Sequence, residues 1–183
     1  IRFKGYTDAW ERRKLGEIAE TRRGLTYSPS NIVENGIRVL RSSNINEDTF
    51  VLNEDDVFVE QSAVNIDYAK KNDILITAAN GSSRLVGKHA VITGELGDGK
   101  YVHGGFMLLI STETPFFLNA SMSSLWYAKF ISSNILGGNG AIGNLSKSDL
   151  DECELLLPSQ SEQAKIGAFF RELDELIALH QRK

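Results

Sequence analysis

The segment at residues 155–183, LLLPSQSEQAKIGAFFRELDELIALHQRK, constrains the fold more than any other part of the sequence. A strand-like apolar run stops at Pro158, and Ser159 with Glu162 then forms a capping-box pattern that opens a helix. Apolar positions of this helix follow at alternating spacings of four and three residues: Ile166, Phe170, Leu173, Ile177 and His180. This spacing predicts a coiled-coil interface, which Phe169 and Leu176 widen.

Two arrangements can cover the apolar side of this helix. It can fold back on the body of the domain, or it can continue as a coiled coil beyond Lys183 and pair with another helix. We favour the coiled coil, because the sequence after the helix supplies no globular segment for its last turn to pack against.

The first 110 residues are predicted to be rich in β-structure with polar, glycine-containing loops between the strands. A glycine-rich loop is predicted over residues 137–149. The predicted strands lie in these segments: GIRVLRSSNI (36–45), Ile74–Thr77, KHAVIT (88–93), FMLLIS (106–111) and LDECELLL (150–157).

One further helix is predicted, with Thr114 as the N-cap and Pro115 at its first position. It would run through FFLNASMSSLWYAKFISSNIL (116–136). The side chains expected on its buried side are Phe117, Met122, Leu125, Phe130 and Ile131.

The charge distribution argues against a protein that binds nucleic acid by charge alone. The net charge is −4. Residues 1–148 hold 16 Lys/Arg and 16 Asp/Glu, so all the net acidity lies in residues 149–183. No apolar run reaches the roughly 18 residues of a membrane span, and no signal peptide opens the chain, so we expect a cytoplasmic protein without a membrane partner. The single cysteine, Cys153, excludes an internal disulfide.

No catalytic, metal or cofactor site is predicted. Gly138, Gly140 and Gly143 form a G-x-G-x-x-G pattern, but it follows a helix instead of a strand, which argues against a nucleotide site. The histidines at 89, 103 and 180 lack metal-ligand spacing, and the acid pair at 55–56 lies in an acidic, solvated stretch.

The polar loops carry arginine, amide and hydroxyl side chains, which are the types that pair with base edges and phosphates. Each such loop is ordinary by itself, but together they suit a surface that reads a polar ligand. The candidate base contacts are Arg22, Arg23, Thr26, Tyr27, Arg41, Ser43, Asn44, Asn80, Ser82, Ser83 and Arg84. The candidate phosphate contacts are Lys88, Lys147 and His103.

The sequence resembles the specificity subunits of type I restriction–modification systems. The resemblance rests on the Trp-x-x-x-x-Leu-Gly opening at 10–16, on the Pro-x-x-x-Glu-Gln-x-x-Ile start of the last helix at 158–166, and on segments between them in the family's order. These segments are DAWERRKLGEI (8–18), GIRVLRSSNI (36–45), NDILIT with VGKHAVI (72–92), IGNLSKSDLDECELLLPSQSEQAKIGAFFRELDELI (142–177) and HQRK (180–183).

The resemblance implies an α+β fold: a β-rich target recognition domain over residues 1–157 with a few helices, followed at 158–183 by the start of a conserved-region, coiled-coil helix. It implies a non-catalytic module that reads one half of a bipartite double-stranded DNA site. Implied partners are methyltransferase subunits, an endonuclease/translocase subunit, and a second recognition domain or second copy that pairs through Ile166, Phe170, Leu173, Ile177 and His180. At this length the chain is half a subunit or a half-length form that dimerises.

Two other classes of function remain as alternatives. A protein-interaction or scaffold domain would read peptide with these loops and oligomerise through its C-terminal helix. Its binding would be insensitive to salt, whereas DNA binding weakens steeply as salt rises. An independent nuclease or methyltransferase would need a metal or cofactor site, for which the sequence offers no motif: the Asn/Asp-Pro-Pro-Tyr signature is absent, and the only prolines are Pro29, Pro115 and Pro158.

Overall fold

The computed structural model describes residues 2–94, 100–135 and 144–181. The strands in this part are β1 (Glu11–Lys14), β2 (Ala19–Arg23), β3 (Ile32–Val33), β4 (Ile37–Leu40), β5 (Ile45–Asn46), β6 (Thr49–Phe50), β7 (Val57–Val59), β8 (Ile74–Thr77), β9 (His89–Val91), β10 (Tyr101–His103), β11 (Met107–Thr112) and β12 (Glu154–Leu157). The α-helices are α1 (Pro115–Met122), α2 (Leu125–Ile135), α3 (Lys147–Asp151) and α4 (Gln160–Gln181). The G-x-G-x-x-G glycines at 138, 140 and 143 lie outside the described residues.

A four-stranded antiparallel sheet in the order β2-β11-β8-β9 forms the centre of the domain. Its two inner strands are apolar at nearly every position, which is typical of a sheet buried on both faces. Because side chains alternate along a strand, Ile74 and Ile76 point to one cluster and Leu75 to another. In the same way Ile110 joins the first cluster and Leu109 the second.

The second sheet covers one face of the first. Its strand order is β10-β4-β7-β3, with β10 parallel to β4 and the other pairs antiparallel. Leu40 and Tyr101 point towards the central sheet, where they pack in the cluster that contains Leu75. Val39 and Val102 point to the opposite side and form a separate small core. The predicted strands at 74–77, 88–93 and 106–111 are confirmed within a few residues. Within the predicted strand 36–45, only Ile37–Leu40 forms β4, and a 3₁₀ turn follows at Ser42–Asn44.

The helices cover the other face of the central sheet, but the predicted single helix from Pro115 is two helices. It begins at Pro115 as predicted and is interrupted at Ser123 and Ser124. The Ser124 hydroxyl donates to the Ser121 carbonyl (2.6 Å), so it competes with the helical hydrogen-bond ladder. The break also changes which side chains are buried: Leu125, predicted to lie in the core, is 69% exposed.

The segment 147–157 also differs from its prediction. A short helix, α3, occupies the end of the predicted glycine-rich loop, and β12 begins only at Glu154. The Ser146 hydroxyl caps α3 by accepting a hydrogen bond from the Asp149 backbone N–H (3.1 Å). Strand β12 pairs with β1 in a separate antiparallel ribbon, so the chain returns to its own beginning before α4 starts.

Helix α4 packs on the body through its first half. A Cβ atom on Gly167 would lie 2.7 Å from the backbone nitrogen of Phe117, so α1 and α4 are in close contact there. The predicted cap is present in part: the Glu162 backbone N–H donates to the Ser159 hydroxyl (3.4 Å), while the buried Glu162 carboxylate lies 3.6 Å from Arg2. Phe3 packs edge-on against Phe169.

A buried carboxylate joins the loop after β4 to the loop before β7. The acid pair at 55–56 was expected to be solvated, but the side chain of Asp56 is fully buried. It accepts hydrogen bonds from Arg38 Nη1 (2.6 Å) and Asn44 Nδ2 (2.9 and 3.0 Å). The backbone N–H of Asn53 donates to the same carboxylate (3.0 Å). Removing one partner of such a buried, hydrogen-bonded ion pair is strongly destabilising, because it leaves the other charge uncompensated.

Replacement of Asp56 by Ala should therefore lower the free energy of unfolding by about 3–5 kcal/mol, because Arg38 would be left partly buried without its partner. Urea denaturation followed by circular dichroism measures this change. The matched control is Glu154→Ala, which removes an exposed ion pair with Arg12 and should leave the urea midpoint unchanged. Equal effects in the two variants would contradict a structural role for Asp56.

Candidate nucleic-acid interface

A cleft of about 950 Å³ opens at one end of the two sheets. Strands β2 and β8 flank β11 and both run opposite to it, so their carboxyl ends meet the start of β11. Strands β4 and β10 run parallel and end at the same place. Most of the lining residues follow these strand ends: Leu25, Thr26, Tyr27, Pro29, Arg41, Ser42, Ser43, Ala79, Asn80, Gly81, Gly104, Gly105 and Phe106. Ile32, Asp55, Met107 and Asn144 complete the lining from other positions.

The two sheets touch directly at the floor of the cleft. The backbone N–H of Leu25 donates to the His103 carbonyl (2.7 Å), and Leu25 forms a parallel bridge with Gly104. A Cβ atom on Gly24 would lie 1.9 Å from the Gly104 carbonyl oxygen, so only glycine permits this approach. The crossing places Thr26 and Tyr27 on the cleft wall.

Asn44 builds a second wall although it is itself fully buried. Its Oδ1 accepts a hydrogen bond from the Arg41 backbone N–H (2.7 Å), which closes a 3₁₀ turn over Ser42–Asn44. Its Nδ2 group donates to Asp56, so the turn is fixed to the buried carboxylate. The turn presents Arg41 and Ser43 to the cleft.

Asn80 connects that turn to the loop after β8. Its Nδ2 group donates to the Ser42 hydroxyl (3.1 Å), and its Oδ1 accepts from the Ser82 backbone N–H (3.0 Å). Arg41 Nη2 donates to the carbonyl of Asp55 (3.3 Å), while Arg41 Nε is buried and lacks a hydrogen-bond partner among the described residues. Arg41 itself lines the cleft, so its guanidinium lies beside the space that a ligand would occupy.

The structure brings together five of the residues predicted to contact DNA and separates the rest. Those that line the cleft are Thr26, Tyr27, Arg41, Ser43 and Asn80. Ser82, Ser83 and Arg84 continue the same loop outside the lining, with Ser82 and Arg84 exposed. Arg23 is exposed at the end of β2.

Three predicted DNA contacts have internal roles instead. The guanidinium of Arg22 is largely buried and donates to Asp73 (2.9 Å) and to Ser111 (3.1 Å). Asn44 is enclosed as described above. His103 lies in a strand instead of the predicted loop, and its Nε2 is 3.1 Å from the Arg22 carbonyl oxygen. Burial keeps these groups from reaching a ligand in this conformation.

The predicted phosphate contacts Lys88 and Lys147 do not lie in the cleft. Both are half-buried, and Lys147 forms an ion pair with Asp151 one turn along α3. Neither is brought together with Arg41 of the cleft wall.

Twelve of the seventeen lining residues were not predicted to contact DNA, among them Ser42, Phe106 and Asn144. Phe106 ends the stretch HGGF, where a large aromatic side chain directly follows two glycines in a turn between strands. Two glycines indicate a turn, so this pattern could have predicted that the aromatic side chain lies on or beside a turn. Asn144 is placed by the Leu145 backbone N–H, which donates to the Ala78 carbonyl (2.8 Å), and this long-range contact has no local sequence signal.

The residues predicted to form the subunit interface divide into two groups along α4. Ile166 is buried, and Phe170 packs partly against the same core, so both contact the body of this chain. Leu173 and Ile177 are 40% and 48% exposed, and His180 is also exposed. Leu176 and Leu179 add to the exposed apolar surface of the second half. Folding back therefore accounts for the first half of the helix only.

The described part of the chain contains neither a candidate metal-binding group nor a candidate membrane span. Over residues 2–94, 100–135 and 144–181, no three His, Cys, Asp or Glu side chains are grouped so as to hold a metal ion. None of the helices in these ranges combines the length and hydropathy that a membrane span requires.

Comparison with known proteins identifies the family. Residues 7–183 match the family described as the type I restriction modification DNA specificity domain, and the chain belongs to this family. No curated protein sequence matches the chain.

Solved structures share the fold. A chain from a structural study of complex assembly and conformational transition of the type I R-M system aligns with a TM-score of 0.65 and 17% identity, over 99% of this chain and 43% of that chain. The HsdS subunit from Thermoanaerobacter tengcongensis gives 0.60 and 16%, over 100% and 42%. The S subunit of a type I system from M. genitalium gives 0.59 and 14%, over 94% and 40%. The chain thus spans about two fifths of these solved chains.

His103 generates a prediction for the pH dependence of stability. Burial lowers its pKa from 6.5 to about 4, so the folded protein keeps this histidine neutral while the unfolded chain protonates it. Its contribution is present above pH 6.5 and is lost as the pH falls towards 4. Urea unfolding at pH 7, 5.5 and 4 should show the free energy of unfolding falling across this window. His103 should account for about 3 kcal/mol of the fall.

In the variant His103→Gln the fall across this window should be shallower, because glutamine does not titrate. Burial also lowers the pKa of His89, so His89 contributes to the slope in the same direction. An unchanged slope in His103→Gln would contradict a neutral, buried His103.

Proposed function

We propose that this chain reads one half of a bipartite double-stranded DNA target as the non-catalytic specificity component of a type I restriction–modification complex. The observation that carries the proposal is the cleft, where the ends of four strands bring arginine, amide and hydroxyl side chains to one place in a member of a DNA specificity family. These are the side-chain types that hydrogen-bond base edges.

The proposed base contacts are the exposed or half-exposed groups in and beside the cleft. Arg41 would favour guanine and Asn80 adenine, because a guanidinium and an amide match the paired acceptor and donor groups of those bases. The remaining proposed contacts are Arg23, Thr26, Tyr27, Ser43, Ser82, Ser83 and Arg84. Lys88 and Lys147 stay as proposed phosphate contacts that would act outside the cleft.

The proposed partners follow from the family. Methyltransferase subunits would bind alongside and carry out the S-adenosylmethionine chemistry, and an endonuclease/translocase subunit would join for cleavage. The exposed second half of α4 would pair with the helix of a second recognition domain or of a second copy of the chain. The complex would act in the cytoplasm, and this chain would need no cofactor of its own.

The neutral body supports a division of labour between the subunits. Residues 1–148 balance 16 basic against 16 acidic side chains, so little affinity would come from non-specific phosphate binding by this chain. Partner subunits would supply much of the affinity for the phosphates. The alternative, a scaffold domain that binds peptide in the cleft, predicts binding that does not require a duplex and does not weaken as salt rises.

Methylome sequencing tests the proposal directly. Cells would carry the methyltransferase with the subunit that contains this chain, either intact or with residues 1–157 exchanged for another recognition domain. One half of the bipartite methylated motif should change while the other half stays the same. An unaltered motif would contradict half-site recognition and favour the scaffold alternative.

The helix-pairing part of the proposal predicts the effect of Leu173→Asp. Leu173 is half-exposed, so the domain should fold normally, but a carboxylate in a helix interface should weaken association by about tenfold or more. Copurification and analytical ultracentrifugation measure assembly. Glu172→Lys, a charge change at the neighbouring exposed position, is the matched control and should assemble normally. Normal assembly of Leu173→Asp would rule out this surface as the interface.

A further inference from the structure

Phe106 is the most exposed large apolar side chain in the described part of the protein. It is 73% exposed and lines the mouth of the cleft, on the turn that joins β10 to β11. Ile32, 47% exposed, and the half-buried Tyr27 also lie along the cleft. Exposed apolar surface next to convergent polar groups is typical of a binding site.

The backbone of Phe106 is held rigidly although its side chain is exposed. The Phe106 carbonyl accepts hydrogen bonds from the backbone N–H groups of Ala78 (2.9 Å) and Ala79 (3.0 Å). The turn is closed by the Met107 N–H, which donates to the Gly104 carbonyl (2.8 Å). Gly104 in turn donates to the carbonyl of Leu40 (2.9 Å), so the turn is anchored to both sheets.

A rigid, exposed aromatic residue loses little conformational entropy when a ligand covers it. Burial of a phenylalanine side chain is also among the larger favourable contributions that one residue can make to binding. The position therefore suits a contact that adds affinity once the polar groups of the cleft have aligned the ligand.

We propose that Phe106 is a specificity-determining residue that packs against the bases of the recognised half-site. This inference rests on the proposed function. Arg41, Ser43 and Asn80 would hydrogen-bond base edges, and Phe106 would supply the apolar contact beside them, to a thymine methyl group or to the face of a base. Phosphates offer no apolar surface, so Phe106 would contact bases. The contact would add to sequence discrimination because Phe106 would reach the bases only once Arg41, Ser43 and Asn80 have aligned the recognised half-site.

The experiment measures the affinity of the complete complex for two duplexes over a range of salt concentrations. One duplex carries the methylated motif, and the other has the half-site assigned to this chain scrambled. Phe106→Ala should weaken binding to the first duplex by about tenfold, leave binding to the scrambled duplex within about twofold, and leave the salt dependence unchanged. Phe106→Leu, which keeps an apolar side chain, should restore most of the affinity.

Leu125→Ala is the matched control, because Leu125 is 69% exposed but does not line the cleft. It should bind both duplexes as the unaltered protein does. The inference is overturned if Phe106→Ala leaves specific binding intact, weakens both duplexes equally, or alters the salt dependence. It is also overturned if Leu125→Ala has the same effect. Unaltered thermal unfolding of Phe106→Ala excludes a folding defect.

Failure of the proposed function gives a different result. In that case the unaltered complex would not discriminate between the two duplexes. If it discriminates while Phe106→Ala does so equally well, DNA reading stands and only the role of Phe106 is wrong. Where Phe106→Ala does weaken specific binding, replacing each thymine of the half-site by deoxyuridine identifies the contact. A replacement that weakens binding of the unaltered complex but not of the Phe106→Ala complex locates a thymine methyl group. If no replacement does so, Phe106 packs on the face of a base.

Discussion

Burial of both faces of the central sheet is the constraint on which the rest of the structure depends. Helices cover one face and the second sheet covers the other, so residues 74–76 of β8 and 107–110 of β11 are apolar and buried. Polar side chains are therefore displaced to the strand ends. Because β2, β4, β8 and β10 all end at the start of β11, those ends converge and their loops form the cleft.

A loop surface that reads a ligand has to be rigid as well as polar, and here buried ions supply the rigidity. Asp56 fixes the turn that carries Arg41, and Asp73 holds Arg22 beneath the crossing of the two sheets. Each carboxylate accepts several hydrogen bonds, which offsets the cost of its desolvation. The exposed residues above these networks can then differ in identity without loss of the framework.

This division explains what the sequence could predict. Strand β8 and the start of α1 are specified locally, by an apolar run and by Pro115, and both were predicted correctly. Arg22 is enclosed and Arg23 is exposed, because adjacent side chains point to opposite sides of β2 and Arg22 pairs with the distant Asp73. Loop composition cannot show such pairing. Phe106 was placed at the start of the predicted strand 106–111, and its apolar type gave no sign that the turn would leave it exposed.

The two halves of α4 show how a recognition domain can be both a compact unit and part of a longer assembly. The first half packs on α1 at Gly167 and is held by Phe3, so the direction of the helix is fixed relative to the cleft. The second half leaves Leu173, Ile177 and their neighbours exposed. The helix is therefore attached rigidly to the part of the chain that forms the cleft. If α4 pairs with another helix, the distance between the two clefts would follow from helix length and not from the angle of a flexible linker.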